Sequence, residues 1–248
     1  MGRAILRLAS AAPDVQIAAA IVAPNDAAIG RPLETLVAEA AQGLPIGDAL
    51  PRECDVAIDF TAPDAAAEWA TRCAEAGVAF VSGTTGLDSS QLDRMRAAAG
   101  HIGVLWSPNM SLGVAILRRL VREAAQRLTD WDAEIVETHH RKKADAPSGT
   151  ATALLREILE AREAADAEVR HGRSGTGLVR ATSEIGVHAV RMGGVVGDHD
   201  VQFASAEEVL TLSHRALTRD VFAAGALRAA RWLHGRPPGW YALDDVLR

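Results

Sequence analysis

The feature that most constrains this chain is an alternation, through its first two thirds, of short apolar stretches with amphipathic ones. Apolar strands of this kind bury both faces, which a chain achieves by laying them in a mostly parallel sheet covered by helices. The pattern predicts a helix over 3–11, a strand over 15–22 and a helix over 32–42 stopped by Gly43. It continues with a strand over 55–60, a helix opening at Pro63 and closed by Gly77, a strand over 78–82, a helix over 89–99 and a strand over 102–106. Pro63 suits a first helical position, where its missing N–H costs nothing, and a glycine is the usual residue just past a helix end. Each strand feeds a loop at its C-terminal end, the place where open α/β sheets hold ligands.

Beyond Pro108 the pattern changes. A helix is predicted over 112–128, a strand over 131–139 and a helix over 149–165, followed by strands over 184–192, 201–204 and 209–216 separated by Gly-rich or acidic turns. This block reads as a mixed sheet forming a second domain, in keeping with a length of 248 residues, which suits roughly two modules. A last helix over 219–233 leads through Pro237-Pro238-Gly239-Trp240-Tyr241 into a short tail, and 163–179, with Gly172, Gly175 and Gly177, reads as the most mobile loop.

Composition excludes several classes. Aromatic residues are 4% of the chain, too few for the stacking platforms that bind single-stranded nucleic acid, and 26 Lys plus Arg against 32 Asp plus Glu leave a net charge of −6. A nucleic-acid partner is therefore not expected, and any anion site must be local. Cys54 and Cys73 are too few and too far apart for a disulfide framework or a cysteine zinc site, which fits a cytoplasmic protein. The sequence holds no apolar run of about 18 to 20 residues, so no membrane partner is expected. At the N-terminus, Arg7 interrupts the apolar stretch of a secretion signal, and Leu6 stands where myristoylation wants Ser or Thr.

The densest polar cluster runs Glu137-Thr138-His139-His140-Arg141-Lys142-Lys143-Ala144-Asp145-Ala146-Pro147-Ser148-Gly149-Thr150-Ala151, after a strand and before a helix. His139 and His140 are adjacent on extended backbone, so they point to opposite faces and take separate tasks. The cationic groups of 139–143 set up a local positive field suited to a small substrate bearing carboxylates, and helix N-terminal amides at Gly149 and Thr150 add donors for an anion. The same residues also read as a solvated basic loop with Ser148 as an ordinary helix cap. A zinc site on His139, His140 and Asp145 lacks a further histidine at ligand spacing. Two more loops follow parallel strands: Ser82-Gly83-Thr84-Thr85-Gly86, whose glycines allow close approach of a flat ligand or simply a tight turn, and Ser107-Pro108-Asn109-Met110-Ser111 at the domain boundary. The opening Met1-Gly2-Arg3 has no strand before it, so no dinucleotide fingerprint is complete.

Residues 139–151 carry His-His-x-x-Lys-x-Asp-Ala-Pro-Ser-Gly-Thr-Ala intact, and in this the chain resembles the 4-hydroxy-tetrahydrodipicolinate (dihydrodipicolinate) reductases of lysine and diaminopimelate synthesis. The resemblance extends over nearly the whole chain, through Asp59-Phe60-Thr61, Gly83 to Gly86, Ser107 to Ser111, Gly197-Asp198-His199 and Asp244-Asp245-Val246-Leu247. It implies a Rossmann-like, doubly wound parallel sheet over 1–111, rejoined by 218–248, that binds a nicotinamide dinucleotide. It also implies an α+β mixed-sheet domain over 112–217 that binds substrate and assembles a homotetramer. Carried onto matching positions, His139 is the acid/base residue and Lys143 the proton donor; His140, Gly149 and Thr150 hold a small dicarboxylate substrate. Gly83, Thr84, Thr85, Ser107, Pro108, Asn109 and Met110 line NADPH or NADH, and no metal is implied.

The family pattern begins with a strand and Gly-x-x-Gly-Arg-Met-Gly-Arg, of which this sequence has Met1-Gly2-Arg3. That strand would lie between the strands over 15–22 and 55–60, so a gap or a collapse is expected there, with weak NADPH binding by the 248-residue chain. Ala23-Pro24-Asn25 after the strand over 15–22 offers no acid for ribose hydroxyls, leaving the choice of dinucleotide open. Two alternatives come from other classes. A semialdehyde dehydrogenase needs a thiol at a strand–loop junction, whereas Cys54 precedes a strand and Cys73 sits within a helix; a non-catalytic relative would keep the dicarboxylate pocket and bind no dinucleotide.

Overall fold

Chain order builds two units, each with its own sheet. The computed structural model describes residues 1–38 and 43–248. The first unit consists of Met1–Ser111 with Asp220–Arg248 and the second of Leu112–Arg219. The first opens with α1 (Gly2–Ser10), β1 (Ala20–Ile21), β2 (Ile46–Gly47) and β3 (Val56–Asp59), then runs through α2 (Pro63–Ala76), β4 (Ala79–Ser82), α3 (Ser89–Ala98) and β5 (Gly103–Trp106). The second holds α4 (Leu112–Arg127), β6 (Asp132–His139), α5 (Gly149–Ala161), β7 (Val169–Arg170), β8 (Ile185–Arg191), β9 (Asp198–Ala204) and β10 (Val209–Arg215). The chain then returns to the first unit with α6 (Asp220–Leu233) and β11 (Gly239–Tyr241).

In the first unit β11, β5, β4 and β3 form one sheet in that order, all parallel. Local chemistry explains the crossover helices. Pro63 starts α2 and Gly77, at φ 71°, ends it; Asp88 and Gln91 close a reciprocal capping box at the start of α3. Ala70, Cys73, Met95 and Ala98 from these helices pack on Val78, Phe80 and Val104. Val81 and Leu105 alternate with Phe80 and Val104 and so face the other way, while α6 packs across β3, β4 and β5.

The second unit has a five-stranded mixed sheet, β10-β9-β6-β8-β7, in which β9 runs antiparallel to β6 and β10 while β6, β8 and β7 are parallel. Leu117, Val121 and Ala125 of α4 and Ala151, Leu154 and Ile158 of α5 cover Ala133, Ile135, Val187, Val201 and Phe203. The Rossmann-like parallel sheet and the α+β mixed sheet are thus both present.

Four elements depart from the sequence reading. The strand expected over 15–22 is reduced to Ala20–Ile21, because its alanines favour extension little and its partner β2 is only two residues long. The helix expected over 32–42 is a single 3-10 turn, Leu33–Thr35. Its backbone bonds go sideways instead, Leu33 N–H to Leu44 O and Ile46 N–H to Arg31 O; the rest of that prediction, 39–42, lies outside the described residues. The loop over 163–179 carries β7, and Arg170 and Arg173 of this segment grip buried Glu184, so its middle is tied down. Finally, the tail after Pro238 supplies β11. β1 pairs with β2 and β3 with β4, so the strands near 20 and 56 belong to separate sheets and have not collapsed together.

Candidate active site

The second unit gathers the predicted acid/base and substrate residues at the C-terminal end of β6 and the start of α5. Alternation along β6 turns Ala133, Ile135, Glu137 and His139 to the covered face. The first two join the hydrophobic core, and the last two extend it as a polar edge. Glu137 is completely buried: one carboxylate oxygen lies 2.5 Å from His139 Nδ1 and 2.8 Å from Arg191 Nη1, and the other accepts from Arg191 Nη2 at 2.7 Å and from the Ser148 amide at 3.0 Å. Burial by itself would raise this carboxyl, but the bonds from Arg191, His139 and Ser148 outweigh it and hold it below the ordinary carboxylate range.

His199 packs edge-on against His139, ring centroids 5.2 Å apart, and its Nε2 lies 3.3 Å from Ser148 Oγ. Burial first, then repulsion from His139 and His214, pushes His199 down to about 4, so it is neutral near pH 7. Ser148 Oγ in turn accepts from the Ala151 amide and caps α5, as the plain structural reading of that serine expects, while the exposed Gly149 begins the helix. Thr150 follows on the first turn. His140 takes a different partner from His139: its Nε2 is 3.1 Å from Arg219 Nη2. Lys143 pairs with Asp145 at 2.8 Å, which lowers that carboxyl, and Lys142 stands exposed. The unit therefore brings His139, His140, Lys143, Gly149 and Thr150 into one loop and helix start. Among the described residues, no group of three or more His, Cys, Asp or Glu is placed to hold a metal ion.

In the first unit the loops after β3, β4 and β5 emerge at one edge of the sheet, because the three strands are parallel and in register, Asp59 beside Ser82 and Ser82 beside Trp106. Asp59 ties them. It accepts from Ser82 Oγ at 2.6 Å, Thr84 Oγ1 at 2.7 Å and Thr61 Oγ1 at 2.6 Å, and Trp106 Nε1 donates to Thr84 O at 2.9 Å. Gly83 and Thr84 are consequently buried; a side chain at 83 would meet the Phe60 ring, so the close approach there is made by the protein itself. Thr85 and Pro108 are exposed, Ser107 and Asn109 half-buried and Met110 buried, which divides the predicted cofactor residues into a rim and a support. The rim offers hydroxyls, amides and a carboxamide, a neutral donor and acceptor set that fits a nicotinamide and its ribose.

Arg191 and Arg219 were not singled out from the sequence, and Glu137, Asp59 and His199 appeared there only inside the polar cluster or the family strings, with no role given to them. A signal for Glu137 was its spacing of two from His139 within a strand.

Parallel strands that deliver hydrogen-bonding loops to one carboxyl edge are the frame of nicotinamide-dependent oxidoreductases, and the chain is of that class. Residues 1–110 match the dihydrodipicolinate reductase N-terminal family and residues 113–247 its C-terminal family. The chain belongs to the dihydrodipicolinate reductase family. A curated 4-hydroxy-tetrahydrodipicolinate reductase from Haloarcula marismortui is 49% identical over 195 residues, covering 79% of this chain and 77% of that protein. One from Methanoregula boonei is 42% identical over 248 residues, 100% of this chain and 93% of that one. The fold is shared with the dipicolinate-bound dihydrodipicolinate reductase from Paenisporosarcina sp. TG-14, with a TM-score of 0.78 at 23% identity over 98% of this chain and 94% of that one. An amine dehydrogenase from Mycobacterium smegmatis is more distant, TM-score 0.59 at 14% identity over 93% and 88% of the two chains.

Proposed function

We propose that this chain reduces 4-hydroxy-tetrahydrodipicolinate to tetrahydrodipicolinate with NADPH or NADH, a step of lysine and diaminopimelate biosynthesis. One observation carries the reading: a histidine bonded through Nδ1 to a buried carboxylate stands at the base of the loop that leads to the exposed amino terminus of α5. The first unit holds the dinucleotide on the rim formed by Thr85, Ser107, Pro108 and Asn109, with Gly83, Thr84 and Met110 supporting it. The second unit holds the dicarboxylate, one carboxylate on the Gly149 and Thr150 amides and helix dipole, with His140 beside it.

A bound nicotinamide dinucleotide supplies a hydride. Loss of the 4-hydroxyl leaves a conjugated imine, hydride on the ring raises electron density, and protonation at the adjacent carbon quenches it. His139 is the acid/base group and Lys143 the proton donor; the Asp145 carboxylate beside Lys143 keeps that side chain at the loop. The choice between NADH and NADPH belongs to the region after β1, where Ala23-Pro24-Asn25 supplies no carboxylate. Assembly is a homotetramer built through the outer face of the five-stranded sheet, where Val190 and Val209 are exposed. The protein works in the cytoplasm, where Cys54 and Cys73, both free, stay reduced. Among the described residues, no helix is long and apolar enough to cross a membrane.

The test is turnover followed by loss of reduced-nicotinamide absorbance, beside a fluorescence titration of NADPH and NADH. His139→Gln should lower turnover on the order of 10²-fold or more with cofactor affinity nearly unchanged. Absence of binding by both dinucleotides would leave a non-catalytic relative; an unchanged rate would remove His139 from the chemistry.

A further inference from the structure

We infer that Glu137 is a positioning residue that fixes the tautomer of His139, leaving Nε2 as the nitrogen that exchanges a proton with the substrate. The inference rests on the reading of His139 as the acid/base group. Its basis is the completeness of the bonding around Glu137. A carboxylate accepts at about four lone-pair positions, and each is matched here: His139 Nδ1 and Arg191 Nη1 at one oxygen, Arg191 Nη2 and the Ser148 amide at the other. The guanidinium and the amide only donate. They therefore require Glu137 to accept, and a buried carboxylate held by three fixed donors stays ionised. An ionised carboxylate has no proton to offer Nδ1, so Nδ1 must carry one and donate it. In the neutral ring Nε2 is then the bare nitrogen, and in the imidazolium the positive charge faces the carboxylate.

Three features keep the ring in that pose. Glu137 and His139 are two apart on β6, so the strand itself sets their side chains on one face. Arg191, the register partner of His139 on β8, also donates to the Asp145 carbonyl at 2.7 Å and so joins Glu137 to the loop bearing Lys143. His199 holds the ring edge-on, and at the Nε2 side the chain places Gly197, where even a Cβ would stand 3.0 Å from Nε2. The same carboxylate thus orients the histidine and, through the Ser148 amide, the start of the helix proposed to hold the substrate carboxylate.

Glu137→Gln separates these duties. Its carbonyl oxygen still serves Arg191 Nη2 and the Ser148 amide, while its amide N–H₂ turns to Nδ1 and gives up the Arg191 Nη1 bond, making Nδ1 an acceptor and moving the ring proton to Nε2. The proposal predicts a fall in kcat on the order of 10²-fold with the substrate KM, and the Kd of pyridine-2,6-dicarboxylate, within about threefold of the parent. Glu137→Asp keeps the charge and should recover at least about tenfold of that loss. Nitrogen-15 spectra of histidine-labelled protein, with the His139 signals assigned through their loss in His139→Gln, should show Nδ1 protonated in the parent and Nε2 protonated in Glu137→Gln. An Nε2-protonated His139 in the parent overturns the proposal whether or not any Glu137 variant folds. So does a Glu137→Gln enzyme with parental kcat, or one in which KM and dicarboxylate affinity fail as badly as kcat. If His139→Gln is inactive while Glu137→Gln is fully active, only the positioning role fails; if His139→Gln is active, the acid/base reading itself has failed.

Discussion

At the scale of single residues, position decides between chemically identical side chains. Lys142 and Lys143 are neighbours of equal charge, yet Lys142 stands in solvent while Lys143 is held at 2.8 Å by Asp145 with its side chain 20% exposed. A solvated lysine adds only a screened charge to the field around a ligand, whereas a fixed one has a defined line to a reacting atom. Lys143→Ala should therefore lower turnover well beyond the effect of Lys142→Ala, by about tenfold or more relative to it. Steady-state rates of the two variants decide it, and greater damage from Lys142→Ala would put the wrong lysine in the site. The candidate site was legible in the sequence where it is local: the string from His139 to Ala151 lies in one loop and one helix start. What stayed hidden is what the fold brings from afar. Arg191 lies 54 residues from Glu137, and His199 lies 51 from Ser148. No spacing rule reaches such partners; only the pairing of β6 with β8 and β9 does.

At the scale of elements, helices with chemical punctuation and strands of ordinary length were legible, as α2 with Pro63 and Gly77 and β6 with its alternation illustrate. Elements defined by a partner were not. β2 and β7 are two residues each and β11 three, too short to carry a period, and each exists because another strand lies ready to pair. The packing of α6 was equally invisible, although one residue of it sets how closely α6 approaches the loop proposed to support the cofactor. Gly225 lies in the buried face of α6, and a Cβ built there would fall 1.7 Å from the Met110 carbonyl oxygen. Both parties are backbone, so neither yields by changing a rotamer. Gly225→Ala should push α6 off the sheet or shift the 107–110 loop, costing about 1 to 3 kcal/mol as overpacking does. Expected are a lower melting temperature and weaker NADPH binding, with pyridine-2,6-dicarboxylate affinity little changed. Parental stability together with parental NADPH affinity would show that the contact relaxes freely.

At the scale of the whole molecule, two units with separate cores should respond differently to acid, because the buried titrating groups at the proposed acid/base site belong to the second. The first unit's core around Phe80, Met95 and Val104 is apolar, whereas the second unit's core passes into Glu137, His139 and His199. His199, only 3% exposed, is pushed to about 4 from an ordinary value near 6.5, chiefly by burial. A depressed value means that the unfolded chain takes up the proton first as pH falls. The stability contributed is whole above about pH 6.5 and drains away down to about pH 4, on the order of 3 kcal/mol in all. His214, lowered by burial too, acts in the same direction. Glu137 enters later: its carboxyl is held below the ordinary carboxylate range, so its share is lost only as pH drops beneath about 4.5. Between about pH 6.5 and 4.5 the loss should thus be a histidine effect confined to the second unit. Amide exchange followed peptide by peptide should show β6 and β9 losing protection over that window while β4 and β5 hold theirs. His199→Gln removes the titrating ring, and although it lowers stability at neutral pH it should flatten the dependence of β6 and β9 on acid. A slope as steep in His199→Gln as in the parent would mean that other groups carry the acid sensitivity, and equal loss in β4 and β5 would mean that the two units unfold as one.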